Sequence, residues 1–192
     1  MEKKYNPKNS LFGQNIQSIK LIDGKIMFTS QNGLWSINSG KELFTEENTK
    51  SICEENIRYK IDDNLDLESL KIHEKDKNGN YWFTNKNQVI LTKISSNKLI
   101  IFAKIPIEPA ADVTISAFFQ DNFSNIWIGT QNNGLFHLKE DKGNYLASKI
   151  YPKKDSNINF SRIANIIQDH QNNLIVTSRA DGAILINKEA LR

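Results

Sequence analysis

The chain has little of what several protein classes require. Its one cysteine, Cys53, excludes an internal disulfide bond and a zinc site built on cysteines. No run of about 18 apolar residues occurs, so no membrane-spanning helix is predicted. The 25 Lys and Arg residues are scattered and exceed the acidic residues by only three, which argues against nucleic-acid binding. The start, MEKKYNPKNS, leads into no apolar stretch, and a signal peptide is therefore not predicted.

Helical periodicity is also almost absent. Short runs of Ile, Phe, Trp and Thr alternate instead with turns rich in Asn, Gly, Asp and Ser, which is typical of β-strands. A hydrophobic content of 39% and a charged content of 24% indicate a folded chain rather than a disordered one. With 192 residues, the sequence predicts an all-β fold with one substantial core or two smaller ones.

One pattern occurs four times. Trp127 is the reference position of the third copy, and Trp82, Met27 and Ile175 occupy the same position in the others, at spacings of 45, 55 and 48 residues. Each copy has a polar turn, a short apolar strand, a loop of two or three polar residues and a second apolar run. In the last three copies an aspartate opens the turn six residues before the reference position: Asp76, Asp121 and Asp169.

A period of this length with four strands per copy predicts a β-propeller blade. The strands of the third copy are predicted at 114–120, 126–130, 135–138 and 145–151, and those of the fourth at 162–168, 174–178 and 183–187. We expect about four blades of four antiparallel strands, in repeats at about 13–57, 58–112, 113–160 and 161–192. Residues 1–12 are expected to form the outer strand of a preceding or closing blade.

The third copy, DNFSNIWIGTQNNGL from Asp121 to Leu135, resembles the two-component regulator propeller repeat, a strand followed by D-x-x-G-N-L-W-I-G-T, a loop and G-L. The second copy, DKNGNYWFTNKNQVI, matches its first half. In that family such blades form the sensor region of membrane-bound hybrid histidine kinases, outside the inner membrane, and the region is linked to sensing polysaccharide breakdown products. The resemblance implies a periplasmic sensor module that meets the membrane only through flanking segments.

The blades could be arranged in two ways. The N-terminal segment could supply a missing outer strand and close a four-bladed ring, or the chain could be a piece of a larger propeller. We favour the larger propeller, because an open edge strand is a liability for a stand-alone protein. No kinase, receiver or DNA-binding segment is visible, so the chain alone is not expected to signal by phosphotransfer.

Topology predicts where a ligand would bind. In an antiparallel four-stranded blade, the loop between the second and third strands emerges on the same face as the link to the next blade, and loops on a rigid scaffold commonly carry binding residues. The candidate ligand-binding residues are therefore Gln31, Asn32, Gln131, Asn132, Asn133, Arg179 and Asp181. Their amides and charges suit an oligosaccharide or another small ligand, although hairpin loops are polar without any ligand.

Other candidates have plainer interpretations. Asp76 to Asn80 resembles the start of a calcium loop, but Asn87 stands where the late acidic ligand should be, so we predict a turn and no metal. His73, His137 and His170 occupy different repeat positions and are expected to be exposed strand or turn residues. Trp82 and Trp127 are expected in the core between blades rather than stacked on sugar. No catalytic residue and no cofactor is predicted.

Three functions remain open at this point. The first is a sensor module that binds a carbohydrate or a partner subunit. The second is a propeller scaffold for protein–protein interaction without a small ligand, with further blades or a second protomer as the partner. The third, a propeller lyase or glycosidase, is disfavoured because the inner strands offer Ile115, Ala117, Ile163 and Asn165, which are poor catalytic groups.

Overall fold

The computed structural model describes residues 15–31, 33–38, 57–61, 65–96, 98–107, 113–142, 144–151, 160–187 and 189. Asn32, Cys53 and the expected outer strand at 1–12 lie outside these residues. No helix in the described part of the chain is long and apolar enough to cross a membrane. A 3-10 helix of three residues spans Leu67–Ser69, and all the other regular elements described are β-strands.

The strands are assigned to four blades in chain order. Blade one has β1 (Ile16–Ile22), β2 (Lys25–Ser30), β3 (Gly33–Asn38) and β4 (Ile57–Ile61). Blade two has β5 (Lys71–Lys75), β6 (Tyr81–Asn85), β7 (Gln88–Ser95) and β8 (Lys98–Pro106). Blade three has β9 (Ile115–Gln120), β10 (Ile126–Thr130), β11 (Leu135–Asp141) and β12 (Asn144–Ile150). Blade four has β13 (Ile163–Gln168), β14 (Leu174–Ser178) and β15 (Gly182–Ile186) among the described residues.

The first compact unit, residues 1–85 and 90–103, contains most of blades one and two. Their strands form one eight-stranded sheet in the order β1-β2-β3-β4-β8-β7-β6-β5. The two blades join through a short parallel pairing of their outer strands, in which Lys60 pairs with Lys98 and Ile61 with Leu99. This pairing occupies two edges that would otherwise be open to further strand addition.

The core of unit 1 lies between blades one and two. Met27 and Leu34 from blade one are buried together with Ile72 and Phe83 from blade two. The hydroxyl of Ser18 also accepts the backbone N–H of Ile72 at 2.8 Å, so the inner strands β1 and β5 are tied directly. The expected packing of apolar strand residues between neighbouring blades is therefore present in this unit.

The second unit, residues 86–89 and 104–192, contains blades three and four. Blade three is a four-stranded antiparallel sheet in the order β12-β11-β10-β9, and blade four contributes the three-stranded sheet β13-β14-β15. Equivalent positions in the two blades are 48 residues apart throughout the paired strands. The row Phe119, Trp127 and His137 of blade three thus corresponds to the row Ile167, Ile175 and Leu185 of blade four.

The interface between blades three and four is closely packed. Trp127 and Leu135 belong to a core cluster with Ile166 and Val176 of blade four. Gly129 lies where this contact is tightest, since a Cβ built there would come within 3.0 Å of the Cβ of Ala117 and within 2.9 Å of the Cβ of Ile163. Glycine at this position therefore allows the inner strand of blade four to approach blade three.

The aspartate turns of the last three blades share one geometry. Each carboxylate accepts the backbone N–H groups two and four residues further on, and the side-chain amide of the asparagine at the fourth, at 2.8–2.9 Å. These bonds, first that of Asn173, lower the pKa of the Asp169 carboxyl. The turn role predicted for the aspartates is confirmed, and Asp121 also accepts the indole N–H of Trp127 at 3.0 Å.

The all-β class and the four-stranded antiparallel blades predicted from the sequence are confirmed. The prediction of exposed histidines is wrong for His137, which is buried on β11 and stacks on Trp127 with ring centroids 4.3 Å apart. It is also wrong for His73, which is half-buried on β5, whereas His170 is exposed as expected. Strand β4 pairs with β3 of blade one and extends past residue 57. The approximate repeat limits stay a prediction.

Candidate functional site

Backbone hydrogen bonds connect the loops of unit 2 on the face predicted for binding. The N–H of Gln131, which opens the β10–β11 loop, donates to the carbonyl of Thr114 at 3.0 Å, just before strand β9. The carbonyl of Gln131 in turn accepts the N–H of Arg162 at 2.9 Å, just before β13 of the next blade. The carbonyl of Arg162 accepts the N–H of Arg179 at 3.0 Å, in the β14–β15 loop. Gln131, Arg162 and Arg179 therefore follow one another along a fixed backbone path.

The loop of blade two joins the same path at its other end. The carbonyl of Lys86 accepts the N–H of Ile115 at 3.2 Å, and the carbonyl of Asn87 accepts that of Ile107 at 3.0 Å. The described ends of the 106–113 link therefore meet the β6–β7 loop, as the topology predicts. Lys86 has a φ of +51°, and the glycine of the other repeats is replaced by Gln88, so this two-residue loop has its own backbone geometry.

Two of the loops are braced by a hydroxyl at the end of the preceding strand. The hydroxyl of Thr130 accepts the backbone N–H of Asn133 at 2.9 Å. The hydroxyl of Ser178, at the equivalent position of blade four, accepts that of Asp181 at 3.0 Å and lies 3.1 Å from its carboxylate. Such side-chain turns hold a loop in one conformation without any ligand.

The side chains left on this face are polar and mostly exposed. Gln131, Asn132, Arg179 and Asp181 are exposed, and Asn133 is half-buried. We call the set formed by these residues together with the exposed Arg162 the loop surface: Gln131, Asn132, Asn133, Arg162, Arg179 and Asp181. The structure therefore brings the unit 2 candidates onto connected loops, and their role in ligand binding stays a prediction.

Arg162 is the member of the loop surface that sequence reasoning missed. The sequence placed it at the start of a strand, but its φ is +50°, in the left-handed region, and the strand begins at Ile163. A residue other than glycine rarely holds this conformation, and such outliers concentrate at functional sites. The two backbone bonds of Arg162 explain how the conformation is held. No sequence signal marks the position, because arginine is not a turn-forming residue.

The remaining candidates lie in unit 1. Gln31 is exposed in the β2–β3 turn, and its neighbour Asn32 lies outside the described residues. They belong to a different unit from the loop surface. Whether Gln31 and Asn32 bind a ligand stays a prediction.

A polar cleft of about 390 Å³ in unit 1 is a second place where a ligand could enter. Its charged side chains include Lys20, Asp23, Glu74 and Lys75, and Lys75 pairs with Asp23. Burial, and then Lys20 and Lys71, lower the pKa of His73 in this cleft to about 3, so the ring is neutral near pH 7. Its Nε2 lies 2.8 Å from the Thr84 hydroxyl, a contact that fits a structural histidine.

The described residues bring together no group of three His, Cys, Asp or Glu side chains that could hold a metal ion. Trp82 and Trp127 are buried, with relative exposures of 2% and 1%, so neither ring offers a face for sugar stacking. The predicted position of Trp127 in the core between blades is confirmed, and Trp82 is buried as expected.

Comparison with known proteins adds family information. Residues 109–132 match the family described as "Two component regulator propeller". The resemblance seen in the third repeat is thereby confirmed. No curated protein matches the sequence.

Several solved structures resemble the chain. One is the extracellular domain described as that of a hybrid two component system, BT3049, from B. thetaiotaomicron, with 20% identity and a TM-score of 0.63 over 95% of this chain and 22% of that chain. Another is virginiamycin B lyase from Staphylococcus aureus, with 16% identity and a TM-score of 0.62 over 92% and 54%. A third is the β-propeller domain of Cps50 (Swd1) from Myceliophteria thermophila, with 11% identity and a TM-score of 0.58 over 90% and 53%.

At these identities the likeness shows the fold, which is that of a β-propeller. The chain spans about half the length of the lyase and of Cps50, and about a fifth of the length of the two-component domain. These structures include a lyase as well as a domain of a signalling system, so the fold does not by itself choose between catalytic and sensory function.

Proposed function

We propose that this chain, which carries a two-component regulator propeller repeat, is a sensor module of a two-component signalling protein that binds a carbohydrate on the loop surface. One observation carries the proposal. Gln131, Arg162 and Arg179 follow one another on hydrogen-bonded backbone and present exposed polar side chains. A ligand would therefore meet groups whose backbone is already ordered, which lowers the entropy cost of binding.

The charge of the loop surface narrows the class of carbohydrate. It has two arginines, Arg162 and Arg179, and one carboxylate, Asp181, which lies within hydrogen-bonding distance of Ser178. Guanidinium groups bind carboxylates through paired hydrogen bonds, whereas amides such as those of Gln131 and Asn132 suit sugar hydroxyls. An oligosaccharide that carries uronic acid units fits this combination better than a neutral one.

The location proposed for the module is extracytoplasmic. The similarity to an extracellular domain of a two-component system supports this location, together with the family match. A signalling protein of this kind would carry its kinase in another segment. A non-catalytic role is supported by the four inner-strand positions considered in the sequence, of which Ile115, Ala117 and Ile163 are buried and apolar, and Asn165 is exposed and polar.

Binding to the purified 192-residue chain tests the proposal. A panel of neutral and uronic acid oligosaccharides is titrated by calorimetry, and acidic members are expected to bind more tightly than neutral members of the same length. The variants Arg162→Asn and Arg179→Gln remove one charge each, and Asn tolerates the positive φ at 162. Loss of one charged hydrogen-bonded pair should weaken binding by roughly 10- to 100-fold.

Lys142→Gln is the matched control. Lys142 is exposed in the β11–β12 turn, at the opposite end of the strands, and also has a positive φ, of +52°. Its removal should leave the affinity unchanged. A panel in which no oligosaccharide binds would contradict the proposal and favour a propeller scaffold without a small ligand. Binding that survives both arginine substitutions would contradict the proposed site and place the ligand elsewhere on the chain.

A further inference from the structure

Blade one and blade four each carry one half of an interface between blades. The interface within unit 2 serves as the reference. There, the face of blade three that bears Trp127 is covered by blade four, whose Ile163, Ile166 and Val176 pack against it. Trp127 and Leu135 are fully buried as a result. One face of blade three and the opposite face of blade four therefore form a matched pair of apolar surfaces.

Blade four presents the first half of such a pair on its other face. The positions equivalent to Phe119, Trp127 and His137, 48 residues further along the chain, form the row Ile167, Ile175 and Leu185. We call this row the Leu185 face. Leu185 is 64% exposed and Ile167 46%, although the equivalent positions of blade three are covered by the next blade. All three residues of the row are apolar, as expected for an interface between blades.

Blade one presents the second half. The strand pairing places Ile16 opposite Ser30 and Ile19 opposite Phe28, with an irregularity between Ile16 and Ser18. Blade four has the same irregularity between Ile163 and Asn165. Ile16 and Ile19 are thus the equivalents of the buried Ile163 and Ile166. We call Ile16, Ile19 and Leu21 the Ile19 face.

The Ile19 face is exposed in spite of its composition. Ile16 is 42% exposed, Ile19 58% and Leu21 69%, whereas Ile166 is only 2% exposed. Single exposed apolar residues are ordinary, but rows of them at positions that form a core elsewhere in the same chain mark an interaction surface.

We propose that the Leu185 face of one copy of this chain binds the Ile19 face of a second copy, with the packing that joins blade three to blade four. The second copy is the occupant that the molecule itself supplies, because the half-interface that the Leu185 face lacks is present on blade one of the same chain. The contact joins two different surfaces, so it is a head-to-tail association rather than a symmetric one. The inference does not rest on the proposed carbohydrate site.

One residue difference between the repeats could obstruct this packing. Gly129, which lies against Ile163, is replaced in blade four by Thr177. Blade one, however, has Thr29 at the same repeat position, and Thr29 is fully buried in unit 1. A threonine is therefore compatible with a covered position in this kind of interface.

The test measures the mass of the 192-residue chain by sedimentation over a range of concentrations. The wild-type chain is expected to associate. Leu185→Lys alone and Ile19→Glu alone should each weaken association by at least tenfold, because each places a charge in the apolar contact. Both residues are exposed, so circular dichroism and thermal unfolding should show that the variants fold.

A mixture of the two variants gives the sharpest readout. Each variant keeps one intact face, so Leu185→Lys and Ile19→Glu chains should associate with each other although neither associates with itself. A symmetric contact between two Leu185 faces would instead survive the Ile19→Glu substitution. Leu146→Lys, at an exposed leucine on the outer strand β12, is the control and should leave association unchanged.

Three results would overturn the proposal. They are a wild-type chain that stays monomeric at every concentration, association that persists in both single variants, and failure of the mixed variants to associate. The first of these would leave the carbohydrate proposal untouched, since the loop surface lies on loops and both apolar faces lie on strands.

Discussion

Blades three and four are built in one register, with 48 residues between equivalent positions, yet their matching faces differ in burial. Trp127 is 1% exposed between the two blades, whereas Ile175, at the same position of blade four, is half-buried beside the exposed Leu185. Both blades have the same aspartate turn, and strands β10 and β14 have the same length. The difference shows that local pattern builds the sheet, and that the neighbouring blade decides what a position contributes to stability.

The largest effect is expected from Trp127→Ala. Removal of the buried indole leaves a cavity between the blades and breaks the hydrogen bond to Asp121, so the free energy of unfolding should fall by about 3–5 kcal/mol. Ile175→Ala at the equivalent position should lower it by only about 1 kcal/mol, since the side chain is partly in water already. Urea denaturation of both variants measures the two values, and equal losses would contradict the assigned difference in burial.

Adding side-chain atoms at the interface between blades three and four tests the same difference in burial. Gly129→Val places side-chain atoms against Ile163 and Ala117, and should destabilise the chain by about 1–3 kcal/mol or prevent blade four from docking. Thr177→Val is the matched change on blade four and should alter stability by less than about 0.5 kcal/mol. Thermal unfolding distinguishes them, and a Gly129→Val chain as stable as the wild type would show that the two blades are not in close contact there.

The contribution of His137 to stability should depend on pH, unlike that of Leu185 at the equivalent position of blade four. Burial, and then Lys139, lower the pKa of His137, while Asp121 opposes the shift. The folded state therefore disfavours the protonated ring. Stability from this residue is complete above the unfolded pKa of about 6.5 and is lost as the pH falls below it.

His137→Leu should therefore reduce the loss of stability between pH 7.5 and pH 5. His73, whose pKa is about 3, contributes a dependence of the same sign from unit 1 and remains in the variant. Leu185→His, on the exposed face, is the control and should add no such dependence. Denaturation at both pH values gives the comparison. An unchanged pH profile in His137→Leu would assign the acid sensitivity to other groups.

The smallest effect concerns the aspartate turns. Ser124 and Asn172 occupy the same turn position with φ of +69° and +66°, where blade two has Gly79 at +80°. Ser124→Gly should stabilise the chain by less than about 1 kcal/mol, because the relief of strain at this left-handed position is partly offset by the backbone entropy that glycine loses on folding. Asn172→Gly should gain less, since asparagine tolerates the left-handed region. A loss of stability in Ser124→Gly, measured by thermal unfolding, would contradict the assigned backbone geometry.

Strand prediction from the sequence succeeded where the pattern was strongest. Strands β10 and β14 have the predicted bounds, since a run of apolar and β-branched residues between polar turns defines them locally. Strand β11 was predicted to end at Leu138 but continues to Asp141, because its polar end pairs with β12. The bounds of strand β4 were not predicted, and this strand is held by pairing with β3 and β8, which are distant in sequence.

For the candidate site, too, the sequence predicted the residues set by local pattern and missed those set by tertiary contacts. The polar loop residues could be named from the repeat, since the alternation of strands assigns each loop to a face. Arg162 could not, because its left-handed conformation comes with hydrogen bonds to loops of two blades. His137 was expected to be exposed because the three histidines occupy different repeat positions, but it is buried and stacks on Trp127.

The sequence by itself determined the repeat, the strand class, the aspartate turns and the loops that share a face, because these depend on residues within one turn or one strand. The tertiary structure decided which apolar rows are covered, where glycine is required and which histidine is buried. Those properties depend on atoms of a neighbouring blade, about 48 residues away in sequence, and no local pattern specifies how close that blade comes.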